Sequence, residues 1–501
     1  MKISKKAIFK SNKLVLLLGI LVFSIFLRFF MLSNQSFWLD EGVTLKLSNN
    51  LNLLEHISYF LNLTTGDRFQ PLYYWLIPYW SFLFGNSEFA LRSLSALFGS
   101  ATIVFLSLIA LRLYGKTYAI WVALIATFSA FSIFYSQDAR PYALLLFITT
   151  LQLYFFSDAL RNKHSLASRW GFWITCMFGL FGSILIGIFT AALSISHIII
   201  YRNWKNWLRW WIPALLFALP AILFYFSSDL STNPTSVSTT RYGFPLLQNF
   251  LFAIYGIFVG QTYGPPINSL HTSERWQAVT NFIPELLILL FVAIIIAIFL
   301  SKLLFRKNNN STLDWFFTSL FLSSLTLAII FAIVTKINWL PRHSFYLWIP
   351  FVFIIPTISR FNHKTGFITK SALAILIGLN IYSLSHYFFY NDYRKDDFRS
   401  VAQYVNSHPE VASVTVWGFR HLLAYYGADK TLDATTISGK RLAVKINQLT
   451  ASATTVLVIV NNELFWQKRE KMTVKKAMQE LYLIESKVLL PNFVIYKFTL
   501  K

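Results

Sequence analysis

One cysteine, Cys176, stands in 501 residues, so no intrachain disulfide can form. Charge is scarce too. Asp, Glu, Lys and Arg make up 13% of the chain, about half of what soluble proteins carry, which excludes an ordinary water-soluble globule. Acidic residues are the scarcest, 21 against 44 Lys and Arg, for a formal net charge of +23. In their place stand 55% hydrophobic and 18% aromatic residues, with a mean hydropathy of +0.53. Apolar stretches of about 20 residues recur between short polar breaks, the pattern of a polytopic helical membrane protein.

The basic excess argues for topology and against a nucleic-acid partner. Lys and Arg gather in short loops between apolar runs: Lys2 to Lys13, Arg112 and Lys116, Arg161 to Arg169, Arg202 to Arg209, Lys302 to Lys307, and Arg360 with Lys364. With these loops on the cytoplasmic side, the chain resolves into about eleven spans. They lie near 14–32, 88–111, 117–135, 141–160, two short spans in 170–200, then 210–226, 284–304, 314–335, 344–359 and 367–389. The first run is long for a cleaved signal peptide and reads as a retained helix. Residues 33–86 form a long first outer loop, "SSDLSTNPTSVSTTRYG" a second, and 246–260 a surface or re-entrant piece. The expected division is 1–390 for the membrane domain and 391–501 for a small extracytoplasmic α/β domain. In the latter, "DDFRSVAQYVNSH" has helical spacing and "SVTVWGF", "TTVLVIV" and "NFVIYKFTL" read as strands. The N-terminus is expected inside and the C-terminal domain outside, in a cell (inner or plasma) membrane.

This topology brings polar residues to one face. "FWLDEGVT" follows the first span, "DRFQPLYY" lies in the same loop, "QDARPY" precedes a span and "LPRHSFY" opens a late one. Ionisable groups at membrane depth are functional candidates, each with a plainer reading. Asp40 fits a helix N-cap as well as a site, and adjacent Glu41 points about 100° away on a helix. Asp138 fits a helix start beside Pro141, with Arg140 its natural partner. Arg342 next to Pro341 sits where a helix dipole disfavours a cation. A nearby anion such as phosphate answers that, as does an interfacial arginine on lipid headgroups. His343 suits an anion or a metal.

In order, "FWLDEGVT", "DRFQPLYYWLIPYWSFLFGNSEFALRSLSALFGS", "YSQDARPYALLLF", "PRHSFYLWIP" and "DYRKDDFRSVAQYV" resemble the GT-C superfamily of membrane glycosyltransferases. The nearest likeness is to the bacterial branch related to protein O-mannosyltransferases and aminoarabinose-lipid A transferases. The likeness covers residues 14–160 well and 335–420 loosely; the middle agrees only in hydropathy. It implies an inverting enzyme that takes a sugar from a polyprenyl-phosphate donor and gives it to a glycan, lipid or protein acceptor at the outer face. By the likeness Asp40 matches the essential acid of the first outer loop, the general base, and Glu41 the acid beside it. Asp138, Arg140, Arg342, His343 and Tyr346 then form the donor-phosphate or acceptor site, with Asp138 orienting Arg140 or helping to hold a divalent cation. Asp138 and His343 are the metal candidates, and metal use stays open. The chain departs from the pattern at Gln70, where relatives often carry His, and at Arg342-His343, commonly Arg-Tyr. Donor sugar and acceptor are unassigned. A multi-pass transporter or lipid flippase is the alternative, but no internal repeat is visible and the acids lie at the membrane edge rather than its middle. A membrane scaffold would not require Asp40, Asp138 and Arg342 to converge.

Overall fold

In the computed structural model, residues 5–63, 66–161, 165–227, 246–270, 275–304, 311–335, 339–360, 363–416, 420–434, 441–451, 453–461 and 472–501 are described. The Ser/Thr-rich second outer loop expected at 227–243 lies almost wholly outside them. The chain opens with α1 (Lys5–Phe29), followed by α2 (Leu39–Leu47), α3 (Leu53–Asn62) and α4 (Pro71–Phe84). Then come α5 (Glu88–Tyr114), α6 (Lys116–Phe128), α7 (Ala130–Ser136), α8 (Tyr142–Leu160), α9 (Leu166–Gly182), α10 (Ile186–Tyr201) and α11 (Trp204–Ser227). The second half holds α12 (Leu246–Val259), the short α13 (Ile267–Leu270) and α14 (Arg275–Thr280), α15 (Ile283–Leu304), α16 (Ser311–Thr335), α17 (Phe345–Ile354) and α18 (His363–Phe389).

Among the described residues, seven of these helices are long and apolar enough to span a bilayer, or eight if α6 and α7 count as one bent span. The protein is therefore a multi-pass membrane protein. About eleven spans were expected, and the difference lies in short helices. The stretch 170–200 does fold as two, of 17 and 16 residues, broken at Ser183. The last piece, 344–359, divides into α17 and a 3-10 segment.

The α6–α7 bend is 58°, and its freed backbone groups are met by side chains, as a break inside a bilayer requires. Arg28 of α1, fully buried, donates to Ala126 O at 3.2 Å and Ser132 Oγ at 3.0 Å. Asn380 of α18 accepts from Ala130 N at 3.0 Å, and Trp348 of α17 donates to Ser129 Oγ at 3.0 Å. The bend thereby ties the first and last spans together and presents residues 137–141 at one end of the bundle.

Beyond α18 lies the sheet domain, with α19 (Phe398–Asn406), β1 (Ala412–Val416), α20 (Arg420–Tyr425), β2 (Leu432–Asp433), α21 (Leu442–Leu449), β3 (Thr455–Asn461), α22 (Val474–Met478), β4 (Tyr482–Leu490) and β5 (Phe493–Leu500). Strand order is β2-β1-β3-β5-β4, parallel at β2-β1-β3 and antiparallel at β3-β5-β4. The apolar runs of β1 and β3 are buried in the middle, as parallel strands covered on both faces must be. Edge strand β4 is mostly exposed and carries too much polarity to be read as a buried strand.

Close packing at Gly99 sets α5 against α7. A Cβ there would overlap Ser136 Oγ and come 2.7 Å from Ser136 Cβ. Gly99→Val is expected to cost about 1–3 kcal/mol, read as a lowered thermal midpoint of the detergent-purified protein.

Candidate active site

The polar stretches singled out in the sequence converge around the nine-residue helix α2. Its N-terminus needs partners for amides that no helix can satisfy internally, and Trp38 at the cap position has no side-chain acceptor. Glu41, at the third helical position, turns back and accepts from Trp38 N at 3.3 Å. Asp40 is thus inside the first turn rather than at the N-cap.

Glu41 is fully buried and its carboxylate is saturated. Oε1 accepts from Arg92 Nε at 2.8 Å and Ala139 N at 2.8 Å, and Oε2 from Arg92 Nη2 at 2.6 Å. Burial alone would raise this carboxyl, but Arg92, with help from Lys395, holds it well below the usual carboxylate range. Arg92 also donates to the carbonyls of Leu32, Gln35 and Ser36 at 3.0, 2.7 and 2.8 Å. The pair is a fastening, with no lone pair left for chemistry.

Asp40 faces a different setting. Its Oδ2 accepts from Arg342 Nη1 at 2.8 Å, across 302 residues of sequence. The two side chains keep 30% and 31% of their surface exposed. Below them Arg140, only 5% exposed, donates to Asp40 O at 2.9 Å and to Asp67 Oδ1 at 2.6 Å. Tyr74 donates to the same Asp67 oxygen at 3.2 Å. The Arg140 side chain therefore pairs with Asp67, not with Asp138 as expected from sequence.

Asp138 is 1% exposed and accepts at Oδ1 from Trp38 Nε1 at 2.8 Å and Lys395 Nζ at 3.1 Å. Burial is the largest influence on it and pushes its carboxyl up, opposed by the Lys395 ammonium. His343 accepts from Leu340 N at Nδ1, 3.2 Å away. Burial, then Arg342, pushes its imidazole down to about 3, so it is neutral near pH 7. Tyr346 is buried, with no partner at its hydroxyl among the described residues. Among the described residues, no group of three His, Cys, Asp or Glu is placed to hold an ion.

Three contributors escaped the sequence reading. Asp67 stood in a quoted motif without a role. Lys395 and Asp396 stood in "DYRKDD", at a domain boundary where charge is commonplace. Asp396 Oδ2 accepts from Leu39 N at 3.2 Å, and burial pushes its carboxyl up to about 6.

The chain's fold, a helical membrane bundle with a small C-terminal sheet domain, has a counterpart among solved structures. Over 97% of its length it is similar to ArnT from Cupriavidus metallidurans, solved bound to undecaprenyl phosphate. The TM-score is 0.53 and the identity 12%, with 98% of that chain covered. Residues 69–230 match the family model described as dolichyl-phosphate-mannose-protein mannosyltransferase. The archaeal oligosaccharyltransferase AglB from Archaeoglobus fulgidus, in complex with an inhibitory peptide and a dolichol-phosphate, is similar over 97% of this chain and 74% of that one, at 11% identity and TM-score 0.47. No curated protein sequence matches. The likeness to ArnT is one of fold, and the family match is confined to residues 69–230.

Two outcomes follow from these charges. Removing one partner of a buried ion pair leaves the other uncompensated, so Arg92→Met is expected to cost about 3–5 kcal/mol in equilibrium unfolding. For Asp396 the native pKa lies above the unfolded value of about 3.9. Its contribution is present below about pH 4 and lost as pH rises through about 6. Thermal midpoints of the wild type minus Asp396→Asn should fall between pH 4 and 7.

Proposed function

We propose that this protein transfers a sugar from a polyprenyl-phosphate donor to a glycan, lipid or protein acceptor at the outer face of the cell membrane, inverting the anomeric centre. In this reading 1–390 is the catalytic membrane domain and 391–501 the extracytoplasmic domain. The Asp40–Arg342 pair carries the reading, because it is the carboxylate–guanidinium couple of the cluster that remains open to solvent while Glu41 and Asp138 are enclosed. The donor's phosphate draws Arg342 from Asp40, since Arg and phosphate pair strongly and often bidentately. That exchange turns Asp40 from a salt-bridge partner into a base.

The acceptor hydroxyl or amine then attacks the anomeric carbon from the side opposite the phosphate. The new C–O or C–N bond forms as the anomeric C–O bond to phosphate breaks, and the bonding electrons leave on the phosphate oxygen. The acceptor's proton passes to Asp40, while Arg342 balances the departing charge. Arg140 holds the Asp40 carbonyl and so fixes the base. The lipid-carrier assignment is supported by the undecaprenyl-phosphate complex of similar fold and by the matched family description.

Asp40→Asn is expected to lower transfer by about 10²–10⁴-fold, with membrane insertion unchanged. Full activity of that variant removes Asp40 as the base. Arg342→Met should slow transfer as well, because the leaving phosphate loses its cation. Comparing lipid-linked sugars and finished glycans with and without the protein identifies donor and acceptor.

A further inference from the structure

The sheet domain reaches the α2 turn through its linker and its first helices. Lys395 N donates to Gln35 Oε1 at 3.1 Å, and Ser36 Oγ donates to Asp396 O at 2.8 Å. Phe37 N donates to Tyr426 Oη at 2.7 Å, and His421 Nε2 lies 2.9 Å from Gly42 O. Arg399 pairs with Glu88 at 2.5 Å, next to the Tyr426 hydroxyl on the same carboxylate at 2.7 Å. Residues 35, 36, 37, 39 and 42 are therefore held from the far end of the sequence.

Two further contacts bear on the residues just before Asp40. Asp396 Oδ2 accepts the Leu39 N–H, the first amide of α2, which has no acceptor inside the helix. An N-cap side chain serves the second or third amide of a helix; the first amide of α2 is met here from 357 positions away. Lys395 Nζ shares Asp138 Oδ1 with the Trp38 indole and lies 5.4 Å over the Trp38 ring. The Trp38–Leu39 peptide and the Trp38 ring, just before Asp40, are thereby both held by the linker.

We propose that Lys395 and Asp396 are positioning residues that set the first turn of α2, and with it the Asp40 carboxylate, so that the sheet domain acts on the transfer step by holding this helix. The inference rests on the reading of Asp40 as the base. It adds that the base is competent only when capped in trans by the linker.

The test uses the full-length protein in detergent and two readouts. Amide hydrogen exchange over residues 39–42 should be about five- to tenfold faster in Asp396→Ala and close to wild type in Asp396→Asn, whose amide oxygen still accepts the Leu39 N–H. Release of undecaprenyl phosphate is followed from undecaprenyl-phosphate-linked mannose, glucose and aminoarabinose. In Asp396→Ala and Lys395→Met, kcat should fall about 10–100-fold with the donor KM held within twofold. Asp396→Asn and Lys395→Arg should recover most of the rate. Unchanged exchange, or a raised KM at unchanged kcat, overturns the proposal, the latter because it marks a substrate contact. If Asp396→Ala does not fold, Lys395→Met carries both readouts. If none of the three donors turns over, the exchange result decides alone. An active Asp40→Asn sinks the reading of the base, whereas an inactive Asp40→Asn beside a wild-type Asp396→Ala sinks only the positioning role.

Discussion

The Glu41–Arg92 pair is the contact on which the site depends. A carboxylate and a guanidinium with 0% and 2% exposure are stable there only because every polar valence around them is used. Arg92 gathers three carbonyls from the turn after α1; Glu41 gathers the amides of Trp38 and Ala139. One pair thus fixes the exit of the first span, the start of α2 and the loop between α7 and α8. Asp40 inherits its place from this arrangement.

The same geometry sorts the acids by environment. Glu41 and Asp138 are enclosed and each bound to a cation, whereas Asp40 meets Arg342 at a solvent-reachable surface. Their neighbours in sequence are alike, so the difference is made by burial. A helix turns about 100° per residue, which sends Glu41 into the bundle and leaves Asp40 at its edge. Two adjacent carboxylates acquire separate partners and separate exposure without any difference in local composition.

Much of this was legible beforehand. The spans followed from runs of apolar residues and basic loops, and α19 from the spacing of Phe398, Val401, Ala402 and Val405, all buried. The convergence of Asp40 with Arg342 followed from their expected side of the membrane. Pairings within the cluster were not legible. Arg140 lies two residues from Asp138, and proximity in sequence suggested a side-chain pair that does not form; their side chains pair with Asp67 and Lys395 instead. Asp67 and Lys395 carry no local signal, because what makes them matter is a neighbour 73 or 257 residues away. Helix length was also hidden, since the break at Ser129 is stabilised by contacts from other helices, and just after the break at Ser183 the Ile184 N–H donates to Phe69 O.

The contacts between residues 35–42 and 395–426 also impose an order in time. The α2 segment is made early, while its cap at Asp396 follows some 357 residues later. At about 5–20 residues per second that is an interval on the order of tens of seconds. Throughout it the first span and the turn that follows it exist without the linker that completes them. A nascent or truncated chain thus carries the whole of "FWLDEGVT" but not its finished geometry, and assembly of the charged cluster waits on the last fifth of the protein.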